Sequence, residues 1–315
     1  MSFTRRFDAE RGLDHVRGPG FDVTVSRQGA ELIGLTWRHP RFGPVPLLWR
    51  NGLTDPPPRF WKDHAPILFP IVGGIHHLKS VTTGGQKIWF KKHHGFVRHS
   101  TLELINADLQ AGSAELAYRL AANDETLSMY PWLFTLDVVY EVHPEQLQQT
   151  ITVTNLDDEP LPFQLGWHPG FNTPLRRGEK SGCRLRLPQG RLRLMANDEQ
   201  CHLTGQCQEI DGAGDFAFTE TGLSRTYMFD VSGLAPEARV VELLNPDESL
   251  GVRLRFGDYP HLGVWSDANA PFICLEAWQG MDDSAVQEPF DRKFGMVLLP
   301  PGQSDTRRVT IEVIS

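Results

Sequence analysis

A histidine and a glutamate, more than a hundred residues apart, each stand in a setting that equips them for proton transfer. His168 lies in Gln164-Leu165-Gly166-Trp167-His168-Pro169-Gly170-Phe171-Asn172. Leu161, Phe163, Leu165 and Trp167 share one parity, while Pro162, Gln164, Gly166 and His168 share the other. Alternate residues of a strand face opposite ways, so Trp167 belongs to a buried face and His168 to a polar, sparsely filled one. Gly166 removes bulk beside it, and Pro169-Gly170 then ends the strand. Glu276 lies in Phe272-Ile273-Cys274-Leu275-Glu276-Ala277-Trp278-Gln279-Gly280, sharing its face with Cys274 and Trp278. A carboxylate inside an apolar strand is costly unless it is paired, by an arginine for example, or used. Desolvation raises its pKa and makes it a competent base near neutral pH. A carboxylate base with an imidazole acid suits a proton shuttle that needs no cofactor, and the C–H face of a sugar ring suits the indole of Trp278.

Other chemistries fit less well. In Lys91-Lys92-His93-His94-Gly95-Phe96-Val97-Arg98-His99, neighbouring histidines of an extended chain point apart, so His93 and His94 are not expected in one site. His76-His77 splays in the same way, and no metal site is expected. The plain expectation for Lys91 to His99 is a solvated basic loop. Cys183, Cys201, Cys207 and Cys274 include no C-x-x-C pair and are expected to be small structural residues. Nucleotide-binding glycine loops and the H-E-x-x-H pattern are absent from the sequence.

The elements that must hold these residues are strands. Phe21 to Val25 alternates, as do Ile33/Leu35/Trp37, Phe134 to Val142, Leu147/Ile151/Val153, Val252/Leu254/Phe256 and Val309/Ile311/Val313. Asp55-Pro56-Pro57-Pro58 reads as a loop, and Gly84-Gly85 as a hairpin turn. Many short alternating strands without a long 3.6-residue pattern predict an all-β fold, a large antiparallel sandwich or barrel. No linker divides the 315 residues, so one domain over 1–315 is expected. The net charge of −8 carries no basic block, which argues against nucleic acid. Neither an h-region nor a membrane-length apolar run is present, so a soluble, cytoplasmic chain is expected.

At these clusters the sequence resembles the aldose 1-epimerase (galactose mutarotase-like) family, more closely its LacX-like branch. Leu48-Trp49, Phe60-Trp61 and Pro66-Ile67-Leu68-Phe69-Pro70-Ile71-Val72-Gly73 resemble the branch's early segment. His94-Gly95-Phe96-Val97-Arg98 resembles its H-G-F-x-R motif, and Pro162-Phe163 through Gly166-Trp167-His168-Pro169-Gly170-Phe171-Asn172 its P-F-x-x-G-x-H-P-x-F-N motif. Tyr259-Pro260, Val264-Trp265 and Ile273 to Gly280, with Asp282 or Asp283, resemble the closing motifs.

The resemblance implies a β-sandwich with an open sugar cleft and interconversion of α and β anomers of a small-molecule sugar. It implies Glu276 as the base taking the C1-hydroxyl proton, His168 as the acid serving the ring oxygen, and His94 as a group orienting the sugar. Where the family often has Gly-Arg, this chain has Gly73-Gly74; the resemblance then offers Arg98 and Asp230 for substrate binding. The expected geometry sets the His168 imidazole across a sugar-sized gap from Glu276, not hydrogen-bonded to it. Two rivals are a non-catalytic carbohydrate-binding or sugar-sensing sandwich, and a glycoside hydrolase. The hydrolase needs a second carboxylate across the scissile bond.

Overall fold

The computed structural model describes residues 2–53, 60–176, 178–212, 214–216 and 226–315. The expected loop at Asp55 to Pro58 lies outside them.

Strand patterning follows burial closely. Phe134–Val142 and Gln146–Asn155 alternate between buried and half-buried residues without a break. They pair antiparallel, Val138 opposite Ile151, inside a nine-stranded sheet. That sheet runs Asp215–Phe216, Arg184–Arg186, Val240–Leu244, Gly251–Arg255, Ser304–Ile314, Gln146–Asn155, Phe134–Val142, Ala114–Ala121 and Glu103–Leu109.

A second large sheet carries the candidate site. Its order is Leu203–Asp211, Arg191–Asn197, Tyr227–Asp230, His261–Trp265, Phe272–Gln279, Leu165–Trp167 and Ile67–Leu68, and Gly170–Asn172 also pairs with Phe272–Gln279. The two sheets share one core. Leu136, Val138 and Ile151 of the first meet in it with Trp167, Ile273, Leu275 and Ala277 of the second. The fold is a large antiparallel β-sandwich, as the alternation predicts.

A five-stranded meander, Thr4–Asp8 to Gly43–Pro46, covers part of this core. The hairpin expected at Gly84-Gly85 joins Lys79–Val81 to Lys87–Trp89. Among the described residues the α-helix is a single short one, Asp124–Met129, capped by Asn123. No helix of the described residues is long and apolar enough to cross a membrane.

Phe272–Gln279 is central, paired on both edges, and buried along seven of its eight residues. Its inward parity is apolar. Its outward parity carries Cys274, Glu276 and Trp278, so side-chain alternation delivers Glu276 to the face away from the shared core.

Candidate active site

Register decides how His168 meets Glu276. Trp167 pairs with Ala277, and after a two-residue interruption Gly170 pairs with Cys274. His168 and Pro169 therefore stand across from Glu276 and Leu275, and the Leu275 N–H donates to the Pro169 carbonyl at 3.1 Å. The sequence expectation that Pro169-Gly170 ends the strand is corrected. The chain breaks pairing for two residues and rejoins the same neighbour, because proline cannot donate to the ladder but leaves the direction intact.

The consequence is direct contact. His168 Nε2 lies 3.1 Å from Glu276 Oε2. This corrects the expected sugar-sized gap. Side chains directly opposite on neighbouring strands start with Cβ atoms roughly 5 Å apart, close enough to touch. The carboxylate nonetheless lies outside hydrogen-bonding geometry. Both Glu276 oxygens and His168 Nδ1 are buried without a hydrogen-bond partner, and so is the indole nitrogen of Trp278 beside them.

Burial governs the charge states. Desolvation, with the Asp282 carboxylate adding to it, holds the Glu276 carboxyl well above the usual carboxylate range; the Trp278 N–H acts in the opposite sense. Desolvation, helped by Arg98, pushes the His168 imidazole down to about 3. Both shifts favour the uncharged forms, a carboxylic acid beside a neutral imidazole.

Aromatic rings fix the imidazole. Trp61 stacks on it with centroids 4.8 Å apart, and Trp265 and His94 meet it edge-on at 6.0 and 5.5 Å. The room left by Gly166 serves Trp278 rather than His168. A Cβ on Gly166 would stand 3.0 Å from the indole, and one on Gly263, opposite Glu276, would stand 3.1 Å from it.

His94 comes from a left-handed turn. It has φ +67° and Gly95 +73°, and a Cβ on Gly95 would lie 2.1 Å from the Phe69 carbonyl oxygen, so glycine is required there. His94 Nδ1 accepts a hydrogen bond from the Gly73 N–H at 2.9 Å. The neutral ring therefore carries its proton on Nε2. Burial first, then the neighbouring His168, keeps its pKa well below the ordinary histidine value.

These groups border a cavity of about 300 Å³, lined by Trp61, Gly73, Gly74, His93, His94, His168, His202, Trp265, Trp278 and Asp282 among others. The expectation that His93 and His94 cannot share a site is corrected: both line this cavity, because the left-handed turn abolishes the extended geometry on which that expectation rests. Nor is the segment a solvated loop throughout, since Gly95, Phe96 and Val97 are buried.

The Gly73-Gly74 departure has a spatial reason. A Cβ on Gly74 would lie 2.3 Å from His93 Nδ1, and one on Gly73 2.0 Å from Asp282 Oδ1. The Gly74 N–H also donates to Asp282 Oδ1 at 2.9 Å. The imidazole of His93 and the carboxylate of Asp282 thus occupy the places where side chains would begin.

Among the residues named from sequence, His168, His94 and Trp278 line the cavity and Glu276 lies against His168. Arg98 and Asp230 are not among the lining residues. Arg98 pairs with Asp63, and Asp230 with Arg193. Trp61, Trp265 and Asp282 reach the wall from motifs that carried the resemblance without a role there. His202 gave no local signal; its ring stacks on His76 with centroids 4.1 Å apart. Cys183 and Cys274 are buried, and Cys201 and Cys207 are exposed.

With fold and site in view, the relationships are clear. The aldose 1-epimerase family model matches residues 15–312. The plasmid-encoded Protein LacX of Lactococcus lactis subsp. lactis is 30% identical over 241 residues, 71% of this chain and 76% of that one. A galactose mutarotase related enzyme from Lactobacillus acidophilus superposes with a TM-score of 0.83 at 24% identity, covering 96% of this chain and 97% of that one. A galactose mutarotase-like protein from Lactobacillus casei gives 0.81 at 25%, covering 96% and 100%. The chain belongs to the aldose 1-epimerase family.

Proposed function

We propose that this protein interconverts the α and β anomers of an uncharged aldose, with His168 and Glu276 as the proton-transferring pair. The observation that carries it is their contact at 3.1 Å, buried and short of hydrogen bonds, at the edge of a cavity walled by three tryptophans. Ring opening needs a proton removed from the C1 hydroxyl and one delivered to the ring oxygen. Both oxygens are bonded to the same carbon. Two groups side by side can therefore address them together, and no gap across the sugar is needed.

Glu276 takes the hydroxyl proton in its carboxylate form, and His168 delivers a proton as imidazolium. That state differs from the uncharged pair that burial favours by a single proton moved from Glu276 to His168. Sugar hydroxyls and the Trp278 N–H favour it by stabilising the carboxylate. His94 offers its Nε2–H to a sugar oxygen. Trp61, Trp265 and Trp278 supply apolar faces for the ring C–H groups. After rotation about C1–C2, ring closure runs the transfers backwards. Each positioned transfer is worth about 10²–10⁴-fold, and holding the hemiacetal at the pair adds an orientation contribution.

The cavity volume lies at the small end for ligand sites, as a monosaccharide requires. No lysine or arginine lines it among the described residues, which favours a neutral sugar over a phosphorylated one.

The test is relaxation of freshly dissolved α-glucose, α-galactose and their 6-phosphates, followed by polarimetry or exchange NMR with and without protein. Faster equilibration of a neutral hexose is expected. Binding across a broad sugar panel with no acceleration would instead identify a sugar-binding sandwich.

A further inference from the structure

Glu276 has a second neighbour on its own strand face that the anomer chemistry leaves unused. Cys274 stands two residues before it, fully buried, in a cluster with Phe272 and Ala270 against Trp61 and Trp265. One donor atom each from His168, Cys274 and Glu276 lie within 4.8 Å of one another, the sole such triad of metal-type donors among the described residues.

We infer that His168, Cys274 and Glu276 form a binding site for a borderline-soft divalent cation of the Zn²⁺ type, and that its occupancy blocks the acid–base pair. Nitrogen, sulfur and oxygen donors in one set suit Zn²⁺, whereas Mg²⁺ and Ca²⁺ demand oxygen alone. Bonds of about 2.0–2.3 Å to a tetrahedral ion place donors roughly 3.3–3.6 Å apart. The His168–Glu276 separation of 3.1 Å is close to such an edge, and the sulfur closes the remainder by rotation about its single Cα–Cβ bond.

The missing hydrogen bond is the telling detail. Two ligands of one ion sit side by side, with the carboxylate oxygen off the axis along which an N–H would point. That is how Glu276 stands to His168, with both its oxygens unpartnered at zero exposure. Trp61 holds the imidazole in place by stacking. Three protein ligands leave a coordination position open, and the cavity wall at His168 is the way in. Binding displaces the Cys274 thiol proton, together with the proton held on the Glu276 carboxyl, to solvent and leaves thiolate–metal and carboxylate–metal bonds. Blockage of anomer exchange rests on the function proposed above, whereas binding does not.

The experiment uses the full chain, freed of metal by chelator. Zn²⁺ binding is followed by isothermal titration, and Co²⁺ binding by absorption. Expected results are one ion per chain, a near-ultraviolet thiolate-to-cobalt charge-transfer band, and loss of anomer exchange in step with Zn²⁺ occupancy. Cys274→Ala should abolish the band and weaken Zn²⁺ by more than about tenfold, with anomer exchange now resistant to Zn²⁺. Cys274→Ser, with a circular dichroism melt, serves if the alanine variant misfolds. Absence of stoichiometric binding overturns the site. So does binding that survives Cys274→Ala but is lost in His76→Ala/His202→Ala, which would place the ion at the cavity mouth. A chain that binds the ion but accelerates no sugar keeps the metal site and removes the anomerase reading.

Discussion

Among the described residues two carboxylates are buried to zero exposure, Asp14 in the meander and Glu276 in the second large sheet, and their surroundings are opposite. Asp14 receives Arg5 Nε at 3.1 Å, Arg27 Nε at 3.2 Å and the Tyr118 hydroxyl at 3.2 Å. Each oxygen has a donor, and two guanidinium groups balance the charge. Glu276 has no arginine, only the His168 imidazole and the Trp278 indole beside it. Protein interiors meet the demands of buried charge wherever structure is the only requirement. Under the proposed function the carboxyl beside the cavity is a group placed for proton transfer, and the neighbouring unmet nitrogen of His168 belongs to the same arrangement.

The largest expected effect that separates the two is catalytic. Glu276→Gln and His168→Asn should each slow anomer exchange by about 10²–10⁴-fold, with the double variant little worse than either. Asp14→Asn should leave the rate per folded molecule unchanged. Equal losses at all three positions in an exchange NMR assay would erase the distinction.

Next in size is stability. Asp14→Asn should cost about 2–3 kcal/mol in urea unfolding, below the full penalty for breaking a buried pair because Arg5 and Arg27 are about a quarter exposed. A smaller loss is expected for Trp278→Phe, which removes the N–H that favours the Glu276 carboxylate. Exchange should slow by about tenfold, roughly one charge-assisted hydrogen bond. His94→Ala should raise KM more than it lowers kcat, and unchanged kinetics would remove His94 from the sugar site.

The pH dependence of stability provides the finest test, small at acid pH. The folded-state pKa of Glu276 is raised by burial, so the unfolded chain releases this proton first and binds fewer protons over the interval between the two values. Stability from this group is complete below the unfolded carboxylate range and declines as pH rises toward the folded value. Glu276→Gln removes that decline, so its unfolding midpoint relative to the parent should climb with pH. A difference that stays flat from acid to alkaline pH would mean that the carboxyl is not desolvated.

Much of the site was legible because strands expose their pattern. Alternation in Leu161 to His168 and in Phe272 to Gln279 gave the parity of both residues, and a glutamate in an apolar strand is a conspicuous anomaly. The distance between them was not legible. It depends on which residue of one strand faces which of another, and the two-residue interruption at His168-Pro169 sets that register. His93 and His94 escape parity rules for a similar reason: those rules assume an extended chain, and His94 has a positive φ. His202 was out of reach because the loop that brings it to the cavity shares no motif with the strands beneath.

The sequence by itself determined the all-β class, the burial of Glu276, the outward parity of His168 and the membership of the aldose 1-epimerase family, because each is written in local alternation or ordered motifs. Only the tertiary structure decided that the pair touches, that His93 and Asp282 close the space beside Gly73-Gly74, and that Cys274 stands within reach of both His168 and Glu276. The physical reason is that side-chain direction is a property of one strand, whereas contact is a property of the register between strands.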